Sequence, residues 1–333
     1  MHPTLRHRAS QRHGVFTSAE ALAAGYSHGE VRHLCTSGRW VRLRRGVFIT
    51  ADDLSRVEGR VAARHAVDCL AVLLTLGRPA TVASHSSAAR LWGWPLARDL
   101  SPLVRLTDPD QWRRRDDHAI ACAPLPATHV GTRGPVPVTA AARTLVDCAR
   151  EWHLVDAVVA LDAALLRGHT SPDELAQALA SARGWRGAAR AARAVALADG
   201  RAESPLETRG RLRVIGAGLA SFEPQVEIWA GGRLVAVVDG WYDDAAVAVE
   251  FDGREKYTDP WRDRSPGQVL WEEKRREDAL RGLEVRVLRI ADADVTRGWP
   301  PVEQRLRDLL SRPGPTVRRF TVVRRQAGVL RTR

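Results

Sequence analysis

Lysine is almost missing from this 333-residue chain: of 51 basic residues only Lys256 and Lys274 are lysine, and the rest are arginine. A side-chain ammonium able to give up its proton therefore has two places to sit, because guanidinium stays protonated at any ordinary pH. Cysteine is sparse too. Cys35, Cys69, Cys122 and Cys148 show no C-x-x-C spacing, which argues against a zinc site or a disulfide framework and fits a reducing cytoplasm. Apolar runs fall short of the roughly 18 residues a membrane span requires, and stretches such as VDAVVALDAALL are interrupted by aspartate. The opening MHPTLRHRASQRHG is basic without the apolar region of a signal peptide, so no targeting segment and no membrane are expected.

What is present is enough apolar residue, 44%, for buried cores in two or three domains. The net charge of +12 favours a polyanionic partner, nucleic acid first, because such a surface attracts phosphate before any specific contact forms. Genomic base composition is the competing source of arginine.

Thr17 or Ser18 caps a short helix through SAEALAAG, and Ser27 opens a second through SHGEVRHLCTSG, ending at Gly38. Two helices joined by a tight turn read as helix-turn-helix. WVRLRRGVFIT then alternates apolar residues with arginine around Gly46, a strand, turn and strand that form a wing. Arg32 and His33 on the second helix are placed to enter a major groove, with Arg42, Arg44 and Arg45 of the wing on phosphates. A protein-interaction module with a solvated basic face remains the other reading. FTSAEALAAGYSHGEVRHLCTSGRWVRLRRGVFI resembles the N-terminal winged-helix domain of AbiEi-type antitoxins, transcriptional regulators of type IV toxin–antitoxin systems. The resemblance implies DNA binding and a toxin or other protein partner.

Residues 55–200 read as a mainly helical, alanine-rich region that resembles the middle of AbiEi-like proteins, with small strand segments at LVRLTDP and PVPVT. His85, between Ser84 and Ser86, is read as a structural hydrogen bonder. One helix is expected through LAQALASARGWRGAARAARAVALADG, placing Arg183, Arg186, Arg190 and Arg193 on one face, either solvated or tracking phosphates.

A further domain starts at RAESPLETRGRL, where Ser204, Pro205 and Glu207 compose a capping box. Glu207 is read equally as a cap or a metal ligand. Three strand-like runs follow, VEIW, RLVAVVDGWY and AAVAVEFDG, separated by Gly231-Gly232 and Asp243-Asp244 turns. Alternation puts Glu250 and Asp252 on one strand face, and an antiparallel partner brings Asp239 beside Glu250. Carboxylates gathered this way repel one another unless a divalent cation, Mg²⁺ or Mn²⁺, is held between them. Lys256 is then placed to orient or deprotonate a water, a task closed to arginine.

The order D-x10-E-x-D-G-x-x-K, with a helix LWEEKRREDALRGL and a strand EVRVLRI behind it, resembles the PD-(D/E)XK restriction-endonuclease superfamily, in particular its very-short-patch-repair-like branch. The resemblance covers residues 200–296 and implies metal on Asp239 and Glu250, assisted by Asp252 and by Glu207 or Glu203, with Lys256 positioning the attacking water. The chain departs from the plain pattern in having Asp252 where the superfamily lysine stands. Lys274 and Arg275 on the following helix are read as a phosphate clamp or as ordinary surface ion pairs. From Thr316 the chain carries arginine and no acid, a basic arm or a late strand pair.

The expected architecture is multidomain α+β: a winged helix over 1–54, a helical region over 55–200, an endonuclease-like core with a mixed sheet over 201–296, and a helix with a basic tail over 297–333. The leading functional expectation is a magnesium-dependent DNA endonuclease acting in repair or phage defence. Its alternative is an AbiEi-like regulator whose nuclease-like domain does not cleave, and a third is a bridge between a partner protein and DNA.

Overall fold

Capping boxes begin the second and third helices. Helix α1 (Pro3–Ser10) leads into the short strand β1 (Phe16–Thr17), and Thr17 and Glu20 cap each other at the start of α2 (Ser18–Ala23). Ser27 and Glu30 repeat the arrangement at α3 (His28–Thr36), before strands β2 (Trp40–Arg44) and β3 (Val47–Thr50). The computed structural model describes residues 1–253 and 266–325. The chain divides into two units, Met1–Ala160 with Thr170–Ala196, and Leu161–His169 with Leu197–Arg333. α1 escapes the sequence reading because it is short and polar, burying only Leu5 and Ala9.

In the first unit, β1, β3 and β2 form an antiparallel sheet. Leu5, Phe16, Ala21, Val31, Leu34, Trp40 and Phe48 pack between it and the helices, and the Phe16 ring meets Trp40 edge-on at 4.7 Å. α4 (Ala51–Val57) and α5 (Val61–Leu76) follow. The region expected to be mainly helical also holds a six-stranded mixed sheet: β4 (Val82–Ala83), β5 (Val104–Asp108), β6 (Arg113–Arg114), β7 (His118–Cys122), β8 (Val130–Arg133) and β9 (Val136–Thr139), in the order β6-β7-β5-β4-β9-β8. Its strands run two to five residues, too short to leave an alternating pattern long enough to recognise. α6 (His85–Trp92) is inserted after β4, and α7 (Ala141–Glu151) and α8 (Leu154–Leu166) follow the sheet. The single helix expected next is two, α9 (Pro172–Ser181) and α10 (Ala188–Ala196). The glycines at 184 and 187 fall between them, so Arg183 and Arg186 lie in the connection rather than on a shared face with Arg190 and Arg193.

In the second unit, α11 (Pro205–Gly216) precedes three antiparallel strands, β10 (Glu223–Ala230), β11 (Arg233–Tyr242) and β12 (Val247–Asp252). α12 (Pro266–Gly282) returns the chain to β13 (Arg286–Ala291), which pairs in parallel with β12. α13 (Asp292–Thr296), α14 (Trp299–Leu310) and β14 (Thr321–Arg324) complete a sheet of order β13-β12-β11-β10-β14. The basic tail thus supplies an edge strand, with residues 326–333 outside the described residues. Val247, Val249 and Phe251 of β12 pack with α11, α13 and α14 on one face, while Ala248 packs with Leu280 of α12 on the other. α11 lies so close to the sheet that a Cβ at Gly210 would stand 2.0 Å from the Phe251 ring, which is why the helix tolerates glycine there. The architecture is multidomain α+β with mixed sheets. Among the described residues no helix is long and apolar enough to cross a membrane.

A buried polar network ties α5 to α6. His65 Nε2 lies 2.8 Å from Ser87 Oγ, which also accepts the Arg105 amide at 2.8 Å. Burial, reinforced by the Arg90 charge, pushes the His65 imidazole down to about 4. The folded state therefore refuses a proton that the unfolded state takes up below about 6.5. Stability is unaffected by this group above that pH and falls as pH drops from there toward 4, by up to about 3 kcal/mol. Urea unfolding at pH 7 and pH 4.5 is expected to show a larger acid loss for wild type than for His65→Gln. Equal losses would remove His65 from the acid transition.

Candidate functional site

Two surfaces carry the residues singled out by the sequence. On the N-terminal head, α3 buries Val31 and Leu34 and leaves Arg32 and His33 exposed, as its helical spacing requires. Arg45 is exposed at the turn between β2 and β3, where Gly46 takes φ +75°, and exposed Arg42 lies with its guanidinium 5.7 Å from the Phe48 ring. Arg44 differs from the expectation. The β2–β3 register slips between Arg42 and Arg44, so Leu43 is an extra residue and the side-chain alternation changes phase there. Arg44 is half-buried, and its guanidinium pairs with Asp117 instead of standing beside Arg42.

On the second unit, the β11–β12 ladder closes at Gly240 opposite Val249, so Asp239 and Glu250 are the next positions along the two strands. Asp239 is 6% exposed and Glu250 8%. Past the last ladder pair the Asp239 carboxylate replaces a backbone partner: its Oδ2 accepts the Phe251 amide at 2.7 Å. Glu250 Oε2 accepts from Arg276 Nη2 at 3.0 Å and lies 3.8 Å from Arg289 Nε. Arg289 stands opposite Glu250 in the parallel ladder and also pairs with Glu277 at 2.9 Å. Magnesium is held by one or two protein carboxylates with water and phosphate as its other ligands, and Asp239 and Glu250, at adjacent positions of the two strands, are the residues that would hold such an ion. Among the described residues no group of three His, Cys, Asp or Glu side chains gathers as metal ligands.

The capping box at Ser204 forms by half. Ser204 Oγ accepts the Glu207 amide at 3.2 Å, but Glu207 Oε2 reaches past it to the Glu203 amide at 2.8 Å and to Gln225 Nε2 at 3.0 Å. Gln225 is buried with φ +51°, a conformation uncommon outside glycine and asparagine. Arg325, just beyond β14, lies 3.5 Å from Glu203 and 3.5 Å from Glu227. Asp252 ends β12, half-buried. Lys256 lies outside the described residues. Lys274 and Arg275 are exposed on α12, with the Arg275 guanidinium 4.7 Å from the Trp271 ring. Sequence reasoning missed Arg276, Arg289, Gln225 and Arg325. Arg289 carried a signal, being the polar position that breaks the apolar alternation of EVRVLRI.

His85 behaves as read, as a structural group. Its Nδ1 lies 2.8 Å from Ser84 Oγ and its Nε2 3.5 Å from Glu151, in the order of a nucleophile, base and acid. Ser84 is fully buried and already accepts the Thr107 hydroxyl, so no substrate reaches it.

Residues 3–51 match the family described as transcriptional regulator, AbiEi antitoxin. Two curated proteins of Mycobacterium tuberculosis, the uncharacterized proteins MT2308 (strain CDC 1551 / Oshkosh) and Rv2248 (strain ATCC 25618 / H37Rv), are each 37% identical over 122 residues. The match covers 37% of this chain and 45% of theirs, so the chain spans about half the length of the curated relatives it matches. Among solved structures, the crystal structure of the Rv2827c protein from Mycobacterium tuberculosis is similar at a TM-score of 0.37 and 16% identity, over 63% of this chain and 81% of that one.

The Asp239–Phe251 bond gives a test of how this edge is held. Asp239→Ala leaves a buried amide without its partner and is expected to lower unfolding stability by about 1–3 kcal/mol. Asp239→Asn, whose carbonyl still accepts, is expected to cost less. Equal losses in chemical denaturation would show that the amide is satisfied by another group.

Proposed function

We propose that the chain is a DNA-binding transcriptional regulator of the AbiEi-antitoxin kind that grips duplex DNA through the N-terminal head. The observation that carries this reading is the coincidence of the family match over residues 3–51 with a capped helix-turn-helix whose second helix exposes Arg32 and His33 beside a wing exposing Arg42 and Arg45. α3 reads base edges in the major groove and the wing arginines take flanking phosphates. A toxin or other protein is the second partner that such a regulator implies.

The two contacts separate in experiment. Arg42→Ala with Arg45→Ala is expected to weaken binding to all duplexes and to make the dependence of log affinity on log salt shallower by about 2, since each lost phosphate contact removes ~0.9. Arg32→Ala with His33→Ala is expected to narrow the gap between operator and random DNA, by about 1–3 kcal/mol for each lost base contact. Fluorescence anisotropy across a salt series measures both, and unchanged affinity and slope in both variants would remove the head from the DNA contact.

A second reading is favoured by one observation, the adjacency of buried Asp239 and Glu250 at the end of a ladder. In this reading the second unit is a metal-dependent endonuclease domain of the PD-(D/E)XK kind, with Mg²⁺ or Mn²⁺ on Asp239 and Glu250, support from Asp252 and Glu207, and Lys256 holding a water. The ion, when bound, would activate water and stabilise charge on the phosphodiester. Against it stands the Arg276 guanidinium already on Glu250. Calorimetric titration with Mn²⁺ is expected to give binding that Asp239→Asn abolishes, accompanied by EDTA-sensitive nicking of plasmid DNA. Absence of both for wild type ends this reading.

A further inference from the structure

The first unit carries a second basic surface, beside the wing and apart from α3. The edge strand β6 and the turn after it read RRR at positions 113–115, and all three arginines are exposed. None of the three makes an ion pair or a side-chain hydrogen bond among the described residues. This is unusual within their own surroundings. They line an open cleft of about 600 Å³ with Arg44 and Arg78, and those two are occupied: Arg78 by Asp108 at 2.9 Å and Asp110 at 3.0 Å, Arg44 by Asp117. Asp117, the acid nearest in sequence except Asp116, is held on its other oxygen by His118 Nδ1 at 2.7 Å. Three adjacent guanidiniums repel one another, and they cannot relieve the repulsion by losing protons.

Two features fix this strand beside the wing. The Arg115 amide donates to the His118 carbonyl at 2.8 Å, closing a tight hairpin between β6 and β7. The Arg44–Asp117 ion pair then ties the turn of that hairpin to the base of β2. The bulge that turns Arg44 away from Arg42 therefore has a use: it anchors a second row of cations next to the first.

We propose that Arg113, Arg114 and Arg115 form a second phosphate-binding surface that extends the grip on duplex DNA beyond the stretch covered by α3 and the wing. The proposal rests on the regulator reading given above. An edge strand and turn with three unpaired guanidiniums match the regular negative charge of a duplex backbone, in which each neutralised phosphate releases a counterion. It contributes affinity and length of footprint and no base discrimination. Trp112, 71% exposed beside these arginines, makes single-stranded nucleic acid the rival occupant, through base stacking.

The test uses the full chain and measures affinity against salt for a short duplex that just spans a winged-helix site, a longer duplex, and a single strand of the longer length. Three proteins are compared: wild type, the wing variant Arg42→Ala with Arg45→Ala, and a hairpin variant carrying Arg113→Ala, Arg114→Ala and Arg115→Ala. The hairpin variant is expected to keep wild-type affinity for the short duplex. On the long duplex it is expected to lose about 2–3 from the salt slope, and lysine at the three positions is expected to restore most of the loss. Equal circular dichroism and thermal midpoints exclude misfolding, and the arginines are exposed, so none is expected. If the wing variant loses binding while the hairpin variant matches wild type on the long duplex, the second surface is overturned and the regulator reading stands. A hairpin variant impaired only on the single strand overturns the duplex assignment. If wild type binds no duplex at all, the regulator reading fails and this proposal with it.

Discussion

A guanidinium keeps its charge at every pH the protein meets, so each arginine must find a carboxylate, a carbonyl, water or an external anion. The rest of the structure can be read from how that requirement is met. In the first unit the interior arginines are answered from within. Arg143, 2% exposed, donates to Asp147 at 2.8 Å and to the Pro124 carbonyl at 3.0 Å, and Arg105 forms a bidentate pair with Glu151 at 2.8 Å. Arg44 and Arg78 are answered by Asp117 and Asp108. The cations on α3, the wing and the β6 hairpin are among those that face outward.

The same requirement acts with opposite sign in the second unit. There arginines come to carboxylates that are buried or half-buried: Arg276 and Arg289 to buried Glu250, Arg211 to buried Asp162 at 2.8 Å, and Arg325 toward half-buried Glu203 and Glu227. Burying a carboxylate costs several kcal/mol unless it is paired or hydrogen-bonded, and each of these acids meets that condition. Asp239 accepts a backbone amide. The β11–β12 ladder ends at Gly240 and Val249, a side chain takes over the next bond, and the two acids stand at that end.

Much of this was legible because it is local. The helix start at Ser27, the β11 strand over residues 233–242 and the facing of Val247, Val249 and Phe251 follow from spacing alone, and so does the exposure of Arg32 and His33. What escaped is long-range or aperiodic. The six-stranded sheet is assembled from pieces two to five residues long, with parallel pairs joined across intervening elements. A one-residue bulge at Leu43 leaves no mark on composition, yet it redirects Arg44. The partners of Glu250 lie 26 and 39 positions away, on a helix and a strand whose residues look like ordinary surface.

Everything proposed for this chain depends on duplex DNA being gripped by the first unit. Hydrogen–deuterium exchange of the full chain, with and without saturating duplex DNA, addresses it most directly because it reports every segment at once. Slowed exchange is expected in residues 28–50 and in the hairpin around residues 113–118. Protection confined to residues 197–325, with 28–50 unchanged, would contradict it.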